Sequence, residues 1–278
     1  MRRLAKTPSG WVVSDGTATG TLPAETMLGG LLALSAEAFE ETLAAVPLAA
    51  GAPETLLAPV DAHTEVWAAG VTYEVSREAR MAESGDADVY ARVYDAARPE
   101  LFFKSIGHRV RGPGQPIGVR EDSTWDVPEP ELGVVSNAEG VIVGYTIVDD
   151  VSSRSIEGEN PLYLPQAKMY RGSCAAGPWI VPASELPDPY ALGISVAIHR
   201  DGKLRWSGET STSRLHRKLA DLVSWLYRGD RYPHGAVLAT GTSAVPGQDI
   251  TLEAGDDVTI TVDGIGTLHN PVRHSRFA

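Results

Sequence analysis

The amino-acid sequence predicts an α+β protein that is predominantly β. The 278-residue chain contains many short apolar runs, Gly, Pro and Asp turns separate these runs, and few segments have helical periodicity. A hydrophobic content of 43% is ordinary for a globular core. Many short strands with few helices favour a β-rich roll or sandwich.

Residues 1–60 are expected to form a small N-terminal α/β module. A polar hairpin is predicted around residues 11–17. An alanine-rich helix is predicted at about residues 36–46, with Ser35 as its N-cap. This part of the chain carries no cluster of acids, bases or nucleophiles, so we expect it to pack and not to form a site. The remaining residues, 61–278, are expected to form a second, larger domain.

Two buried strands are predicted early in the second domain, at residues 66–71 and 101–104. A polar segment of helical character lies between them, at about residues 74–96, and is interrupted near Gly85. Segments in this position often cover active sites. We therefore expect residues 73–95 to act as a mobile lid.

The later part of the chain contains two further strong patterns. Residues 194–206 indicate a hairpin, with Asp201 and Gly202 at its tight turn. An amphipathic helix is predicted at about residues 213–227, because apolar residues recur there at helical spacing. These residues are Leu215, Leu219, Leu222, Val223 and Leu226.

Composition and charge exclude several classes of function. The formal net charge is −12 with 24 Lys and Arg residues, so nucleic-acid binding is not expected. No apolar run approaches the ~20 residues that span a bilayer, and no apolar core of a signal peptide follows the basic start. The single cysteine, Cys174, cannot form an internal disulfide and is expected to be a buried thiol, not a nucleophile. These features predict a cytoplasmic protein without membrane contact.

The most informative stretch of the chain is residues 129–168. Glu129 and Glu131 lie two positions apart in a predicted strand, so both side chains leave the same face. Asp150 ends the next apolar strand. Three hard oxygen ligands with no His or Cys nearby suit Mg²⁺, Mn²⁺ or Ca²⁺ and not zinc. The alternative is that Glu129 and Glu131 are only a solvated strand face.

The motifs in this stretch, taken together, resemble the fumarylacetoacetate hydrolase family. The family's Glu-x-Glu-Leu motif matches residues 129–132, and its Gly-Tyr-x-x-x-Asn-Asp-x-Ser-x-Arg motif matches residues 144–154. Its active-site lysine falls on Lys168. Residues 235–243 resemble the family's Gly-x-x-Leu-x-x-Gly-Thr strand. The resemblance covers roughly residues 65–273.

This resemblance implies a mixed β-sandwich roll with a divalent metal in its mouth. It implies Glu129, Glu131 and Asp150 as the metal ligands, with Asp149 at the position that the family usually gives to Asn. It also implies a 2-oxo acid substrate, an enolate stabilised by the metal, and a homodimer or homotetramer. The fold does not fix the reaction, because the family includes hydrolases, decarboxylases, isomerases and dehydratases.

One departure from the family pattern disfavours hydrolysis. The hydrolases carry a His–Glu pair in a lid motif, and this chain has Ser76 and Ala79 at those two positions. Without the imidazole, no obvious general base would activate water at neutral pH. Residues 70–80, 97–104 and 156–168 are similar instead to a branch of the family that dehydrates 2-keto-3-deoxy sugar acids.

The dehydratase branch implies roles for Glu100 and Lys168. These two residues would divide the acid and base steps of a water elimination that gives a 2,5-dioxo acid. The resemblance also implies contacts to the substrate from Thr242, Arg154, Glu157 and Ser76.

Alternatives to the dehydratase remain open. Arg154 is followed by Ser155 where family members usually have Asp, so Arg154 needs another partner or is available to a substrate carboxylate. A changed substrate would suit a 2-oxo acid decarboxylase, an isomerase or an acylpyruvate hydrolase of the same family. A non-catalytic metal-binding β-roll is the more distant alternative. Glu100 could also cap a surface turn, and Lys168 could simply pair with a neighbouring acid.

Overall fold

The computed structural model describes residues 1–74 and 92–278. The strands in these ranges are β1 (Arg3–Thr7), β2 (Gly10–Ser14), β3 (Ala18–Thr21), β4 (Ala49–Ala50), β5 (Glu65–Gly70), β6 (Glu100–Ile106), β7 (Ile117–Val119), β8 (Asp126–Val127), β9 (Pro130–Ser136), β10 (Ile142–Asp150), β11 (Ser152–Ser153), β12 (Cys174–Pro182), β13 (Gly193–Arg200), β14 (Lys203–Ser211), β15 (Ala236–Ala239), β16 (Asp257–Val262) and β17 (Gly266–His274). The helices are α1 (Leu28–Leu32), α2 (Ala36–Ala45), α3 (Arg154–Glu159), α4 (Leu164–Lys168) and α5 (Leu219–Gly229). No helix in the described ranges is both long enough and apolar enough to cross a membrane.

The strands form two main sheets. Ten of the described strands make one sheet in the order β4-β3-β2-β1-β12-β10-β9-β15-β5-β6. Five others make a second sheet in the order β14-β13-β16-β17-β7, and β8 pairs with β11. Most neighbours are antiparallel, but β15 runs parallel to β5 and β17 runs parallel to β7. The predicted fold class, mainly β with mixed sheets, is therefore confirmed.

The large sheet is buried on both faces. On one face, Leu132 and Ile147 pack with Ile260 of the second sheet and with the apolar side of α5. On the other face, Val135 packs with Phe39 of α2. Successive strand residues point to opposite faces, so the same strand β9 supplies both cores. Burial on both faces fixes the register of the strands that carry the acidic residues.

Three local predictions are confirmed. The N-terminal hairpin is formed by β2 and β3, and α2 begins after Ser35, whose hydroxyl accepts a hydrogen bond from the backbone N–H of Ala38 at 3.2 Å. The second hairpin is formed by β13 and β14. Its turn residues Asp201 and Gly202 have φ angles of 53° and 71°, the left-handed region that Asp and Gly tolerate.

The N-terminal strands continue the large sheet. Strand β1 pairs with β12, where Leu4 lies opposite Ile180. The next three strands extend the sheet outward from β1. The predicted division of the chain into two domains at residue 60 stays a prediction.

The amphipathic helix begins later than predicted. Residues 212–214 form a 3₁₀ turn, and α5 starts after it. Leu215 pairs with Tyr73 in an isolated β-bridge, and the N–H of His216 donates to the carbonyl of Thr72 at 3.0 Å. These contacts hold the backbone extended, so tertiary pairing overrides the helical spacing of the sequence.

Candidate active site

A cleft opens at one edge of the large sheet. Strands β5, β10 and β15 end there, and β6 and β9 begin there. The cleft brings together eight of the residues that the sequence singled out, namely Glu100, Glu129, Glu131, Asp150, Arg154, Glu157, Lys168 and Thr242. The ninth, Ser76, lies outside the described residues, as do Ala79 and most of the predicted lid.

Three buried carboxylates converge in the cleft. Glu129, Glu131 and Asp150 each offer one oxygen, and these oxygens lie within 4.8 Å of one another. The strand pairing causes this, because Asp150 N–H donates to the carbonyl of Glu129 at 3.0 Å at the edge where β9 and β10 meet. Burial, and then the charges of Asp150 and Glu129, raise the pKa of Glu131 well above its usual value. A divalent cation would remove this repulsion, and three hard oxygen donors fit Mg²⁺, Mn²⁺ or Ca²⁺.

The backbone of Gly241 holds Glu131 in place. Its N–H donates to Glu131 Oε2 at 2.6 Å, directly after β15 ends. Gly241 has a φ angle of 87°, and a Cβ there would come within 2.0 Å of Thr72 Oγ1. Only glycine therefore allows this approach.

The ammonium group of Lys168 contacts three acceptors. Its Nζ donates to Glu129 Oε2 at 2.9 Å, to Asp150 Oδ2 at 3.0 Å and to Ser152 Oγ at 2.5 Å. The Ser152 hydroxyl itself donates to the carbonyl of Asp150 at 2.8 Å, so it can only accept from Lys168. Three acceptors require three N–H donors, which only the charged form of lysine has.

Glu100 lines the same cleft as Lys168. It is the first residue of β6 and sits opposite Gly70, the last residue of β5. A Cβ on Gly70 would meet the Glu100 carboxylate at 2.1 Å. The absence of a side chain on Gly70 therefore leaves the space that the carboxylate occupies.

Arg154 pairs with Glu129. Its Nε donates to Glu129 Oε1 at 3.0 Å, and both side chains are buried. Ser155, at the position that the family usually gives to Asp, points away, and its hydroxyl accepts from Thr124 N–H at 3.1 Å. Arg154 begins α3, which also carries Glu157 into the cleft wall. With Ser155 at that position, the guanidinium of Arg154 pairs with one of the three clustered carboxylates.

Asp149 does not belong to the carboxylate cluster. Its Oδ1 accepts from the N–H of Glu129 at 3.1 Å, and it is fully buried. Burial raises the pKa of Asp149 to about 8. A neutral carboxyl has one donor and one acceptor, so Asp149 resembles the Asn that the family usually has there.

Two further predictions concern His and Cys residues. No histidine lines the cleft among the described residues. Cys174 is buried on β12 opposite Asp150, and burial raises the pKa of its thiol to about 12. The prediction that Cys174 is a buried thiol is confirmed.

The sequence reasoning missed Lys104. This residue lies on β6, its side chain is 0% exposed, and its Nζ is 2.5 Å from Asp150 Oδ1. The available signal was a lysine at the end of an apolar strand, directly after Phe102 and Phe103. A buried lysine needs a paired carboxylate, so its position in the strand could have been linked to the acids.

The chain belongs to the fumarylacetoacetate (FAA) hydrolase family, whose C-terminal domain description matches residues 65–273. A curated relative from Haloferax volcanii, named as a probable 2-keto-3-deoxyxylonate dehydratase, is 55% identical over 214 residues, which are 77% of this chain and 73% of the relative. A 2-dehydro-3-deoxy-D-arabinonate dehydratase from Saccharolobus solfataricus is 47% identical over 223 residues, 78% of this chain and 74% of the relative.

A solved structure gives the same relationship over almost the whole fold. The structure of a 2-keto-3-deoxy-D-arabinonate dehydratase complexed with magnesium and 2,5-dioxopentanoate superposes with a TM-score of 0.83 at 36% identity. The match covers 98% of both chains. It includes the N-terminal strands, which lie outside the residues that match the family description.

Proposed function

We propose that this protein removes water from a 2-keto-3-deoxy sugar acid and releases a 2,5-dioxo acid. The observation that carries the proposal is that Glu100 and Lys168 line one cleft together with Glu129, Glu131 and Asp150, whose carboxylate oxygens lie within 4.8 Å of one another. The names of the similar dehydratases, one of them solved with magnesium and a 2,5-dioxo acid, support the same reaction.

The three carboxylates would hold a divalent cation, Mg²⁺, with Mn²⁺ or Ca²⁺ as substitutes. When bound, the cation would stabilise negative charge on the 2-oxo oxygen of the substrate, which makes the C3 proton acidic. Arg154 and Lys168 both contact Glu129, and together they hold its two oxygens in one orientation. The ligand set is therefore preorganised by the chain's own cations.

The proton steps follow from the states of the two remaining groups. Lys168 is charged, because three acceptors surround its Nζ. It is therefore suited to give a proton and not to take one. Glu100 is a carboxylate of the cleft outside the ligand set and is suited to take a proton. We assign the base to Glu100 and the acid to Lys168.

The elimination balances with these two residues. Glu100 takes the C3 proton, the C4–O bond breaks, and the leaving hydroxyl receives a proton from Lys168 and departs as water. A double bond forms between C3 and C4. When C5 carries a hydroxyl group, transfer of a proton from C5 to C3 then gives a C4–C5 enol, and transfer of the enol O–H proton to C4 gives the 2,5-dioxo acid. Thr242, Arg154 and Glu157 line the same cleft and would contact the substrate. We propose Ser76 as a further contact to the substrate.

The proposal excludes hydrolysis of acylpyruvates as the main activity. The described cleft wall contains no histidine to activate water. This agrees with the replacement of the usual lid His and Glu by Ser76 and Ala79 in the sequence.

One experiment separates the candidate reactions. The metal-loaded protein is incubated with a panel of 2-keto-3-deoxy sugar acids, 2-oxo diacids and acylpyruvates, and products are identified by mass spectrometry. The proposal requires loss of water from at least one keto-deoxy acid. Loss of CO₂ from a diacid, or addition of water to an acylpyruvate, without any dehydration would contradict it.

We also propose a cytoplasmic homo-oligomer, a dimer or a tetramer. The buried thiol of Cys174 has no disulfide partner, which suits a reducing compartment. Size-exclusion chromatography with light scattering measures the oligomer directly.

A further inference from the structure

Lys104 is bound entirely within the protein, behind the cleft. Its Nζ contacts Asp150 Oδ1 at 2.5 Å and donates to the carbonyl of Val151 at 3.0 Å and to the carbonyl of Lys168 at 2.5 Å. Strand β6 thereby joins the end of β10 to the end of α4. The two carbonyls accept hydrogen bonds from the ammonium group, and Asp150 Oδ1 is held to it as an ion pair.

This geometry gives Lys104 no direct part in the chemistry. It does not line the cleft, and its side chain is 0% exposed. Any effect on the reaction must therefore pass through the groups that it holds. The closest of these is Asp150, a member of the carboxylate cluster.

The two carboxylate oxygens of Asp150 contact different lysines. Oδ1 is paired with Lys104. Oδ2 lies on the cleft side, where it shares Lys168 with Glu129. Both lysines have fixed positions, so the carboxylate plane of Asp150 cannot turn without losing one ion pair.

We propose that Lys104 is a positioning residue that restricts Asp150 to a single ligand oxygen and thereby favours Mg²⁺ over Ca²⁺. The inference rests on the cation site of the proposed function. Ca²⁺ takes more oxygen ligands than Mg²⁺ and commonly binds a carboxylate through both oxygens, whereas Mg²⁺ needs six ligands in a compact octahedron. With Oδ1 held by Lys104, Asp150 can offer the cation only one oxygen. The second contact that a flexible carboxylate would give Ca²⁺ is then missing.

The test is the ratio of Ca²⁺ to Mg²⁺ affinity, measured by titration calorimetry without substrate. In Lys104→Met, Asp150 Oδ1 is released, and the ratio should rise by about tenfold. Loss of one positive charge alone strengthens binding of both divalent ions in parallel, so it does not change the ratio. The ratio therefore reports positioning and not simple electrostatics.

Lys6→Met provides a matched control. Lys6 also donates to a backbone carbonyl, that of Val60 at 2.8 Å, and lies 3.8 Å from the carboxylate of Asp61, far from the cleft wall. Its substitution should leave the ratio unchanged. Parallel changes of both affinities in Lys104→Met, with a constant ratio, would overturn the inference.

A second measurement covers the case in which Lys104→Met does not fold. Crystals of the wild-type protein soaked with Ca²⁺ should show one Asp150 oxygen on the ion and the other on Lys104. Contact of both Asp150 oxygens with Ca²⁺ would refute the inference. The proposed dehydratase function would not be affected by that result. Failure of the wild-type protein to bind either ion would contradict the proposed function and this inference with it.

Discussion

Gly70 and Glu100 lie directly opposite each other at the edge of the β5–β6 pair, and the Glu100 carboxylate occupies the space above Gly70. The Cβ of an alanine at position 70 would come within 2.1 Å of Glu100 Oε2. The clashing atom is the end of a flexible side chain, so it can move at little cost to the fold. The position of Glu100 therefore depends on the lack of a side chain at residue 70.

Gly70→Ala should lower kcat by about tenfold or more, because it displaces the proposed base from the substrate. The melting temperature and Mg²⁺ affinity should change little. Gly30→Ala is a suitable control, since a Cβ on Gly30 meets no atom within 4 Å. Wild-type kcat in Gly70→Ala would show that the exact position of Glu100 is unimportant.

Glu100→Gln should lower kcat by about 10²-fold or more, the usual scale for loss of a general base. The amide keeps the shape of the side chain but cannot accept the C3 proton. Mg²⁺ binding should persist, because Glu100 lies outside the carboxylate cluster. Steady-state kinetics and calorimetry on the same sample separate the two effects, and unchanged kcat would remove Glu100 from the mechanism.

Lys168→Met should lower kcat on a similar scale, about 10²-fold, because the proposed acid is lost. Mg²⁺ affinity should not fall, since a positive charge that competes for Glu129 and Asp150 has been removed. This combination of poor turnover and retained metal binding distinguishes a catalytic role from a purely structural one. Loss of metal binding together with activity would indicate that Lys168 mainly holds the ligands in place.

Glu131→Gln should weaken Mg²⁺ binding by at least about tenfold, because a charged ligand is replaced by a neutral one. The amide oxygen can still accept from the N–H of Gly241, so the fold should persist. Glu121→Gln changes an exposed acid that pairs with Arg276 and serves as the control. Full activity of Glu131→Gln after exhaustive chelation would rule out the proposed cation site.

The buried carboxyl group of Asp126 should make the free energy of unfolding depend on pH. It is buried, its Oδ1 accepts no hydrogen bond from the described residues, and burial raises its pKa to about 7. The folded protein therefore holds a proton here that the unfolded chain releases near pH 4, so this residue's contribution to stability falls as pH rises from about 4 to 7.

Asp126→Asn should remove this dependence. The variant should be more stable than wild type at pH 8 by about 1–3 kcal/mol and equal to it near pH 4. Asp122→Asn is the control with the opposite sign, because a hydrogen bond from Arg120 lowers the pKa of Asp122 and its side chain is largely exposed. Urea unfolding at several pH values measures both, and parallel curves for wild type and Asp126→Asn would contradict the prediction.

Local signals predicted much of this fold. The cap at Ser35, the Asp-Gly turn of the second hairpin and the Glu-x-Glu spacing each depend on neighbouring residues, so the sequence shows them directly. The placement of Glu129, Glu131 and Asp150 in one cleft also followed from strand geometry and the family resemblance.

Other features depend on contacts between distant parts of the chain. The start of α5 is displaced because residues 215–216 pair with residues 72–73, a contact that helical periodicity does not show. Lys104 binds the carbonyls of Val151 and Lys168, and neither partner is marked by a side chain in the sequence. Such backbone acceptors become visible only in the folded structure.

The hydrogen bond from Gly241 to Glu131 affects the order in which parts of the structure fold. It joins residues separated by 110 positions, and the strand before Gly241 lies between β9 and β5. Contacts of such long range form late, because the intervening chain must first be ordered. During synthesis, domains form from the N-terminus onward. A growing chain that has not yet emerged past β15 therefore lacks a completed carboxylate site, and cation capture should mark one of the last events of folding.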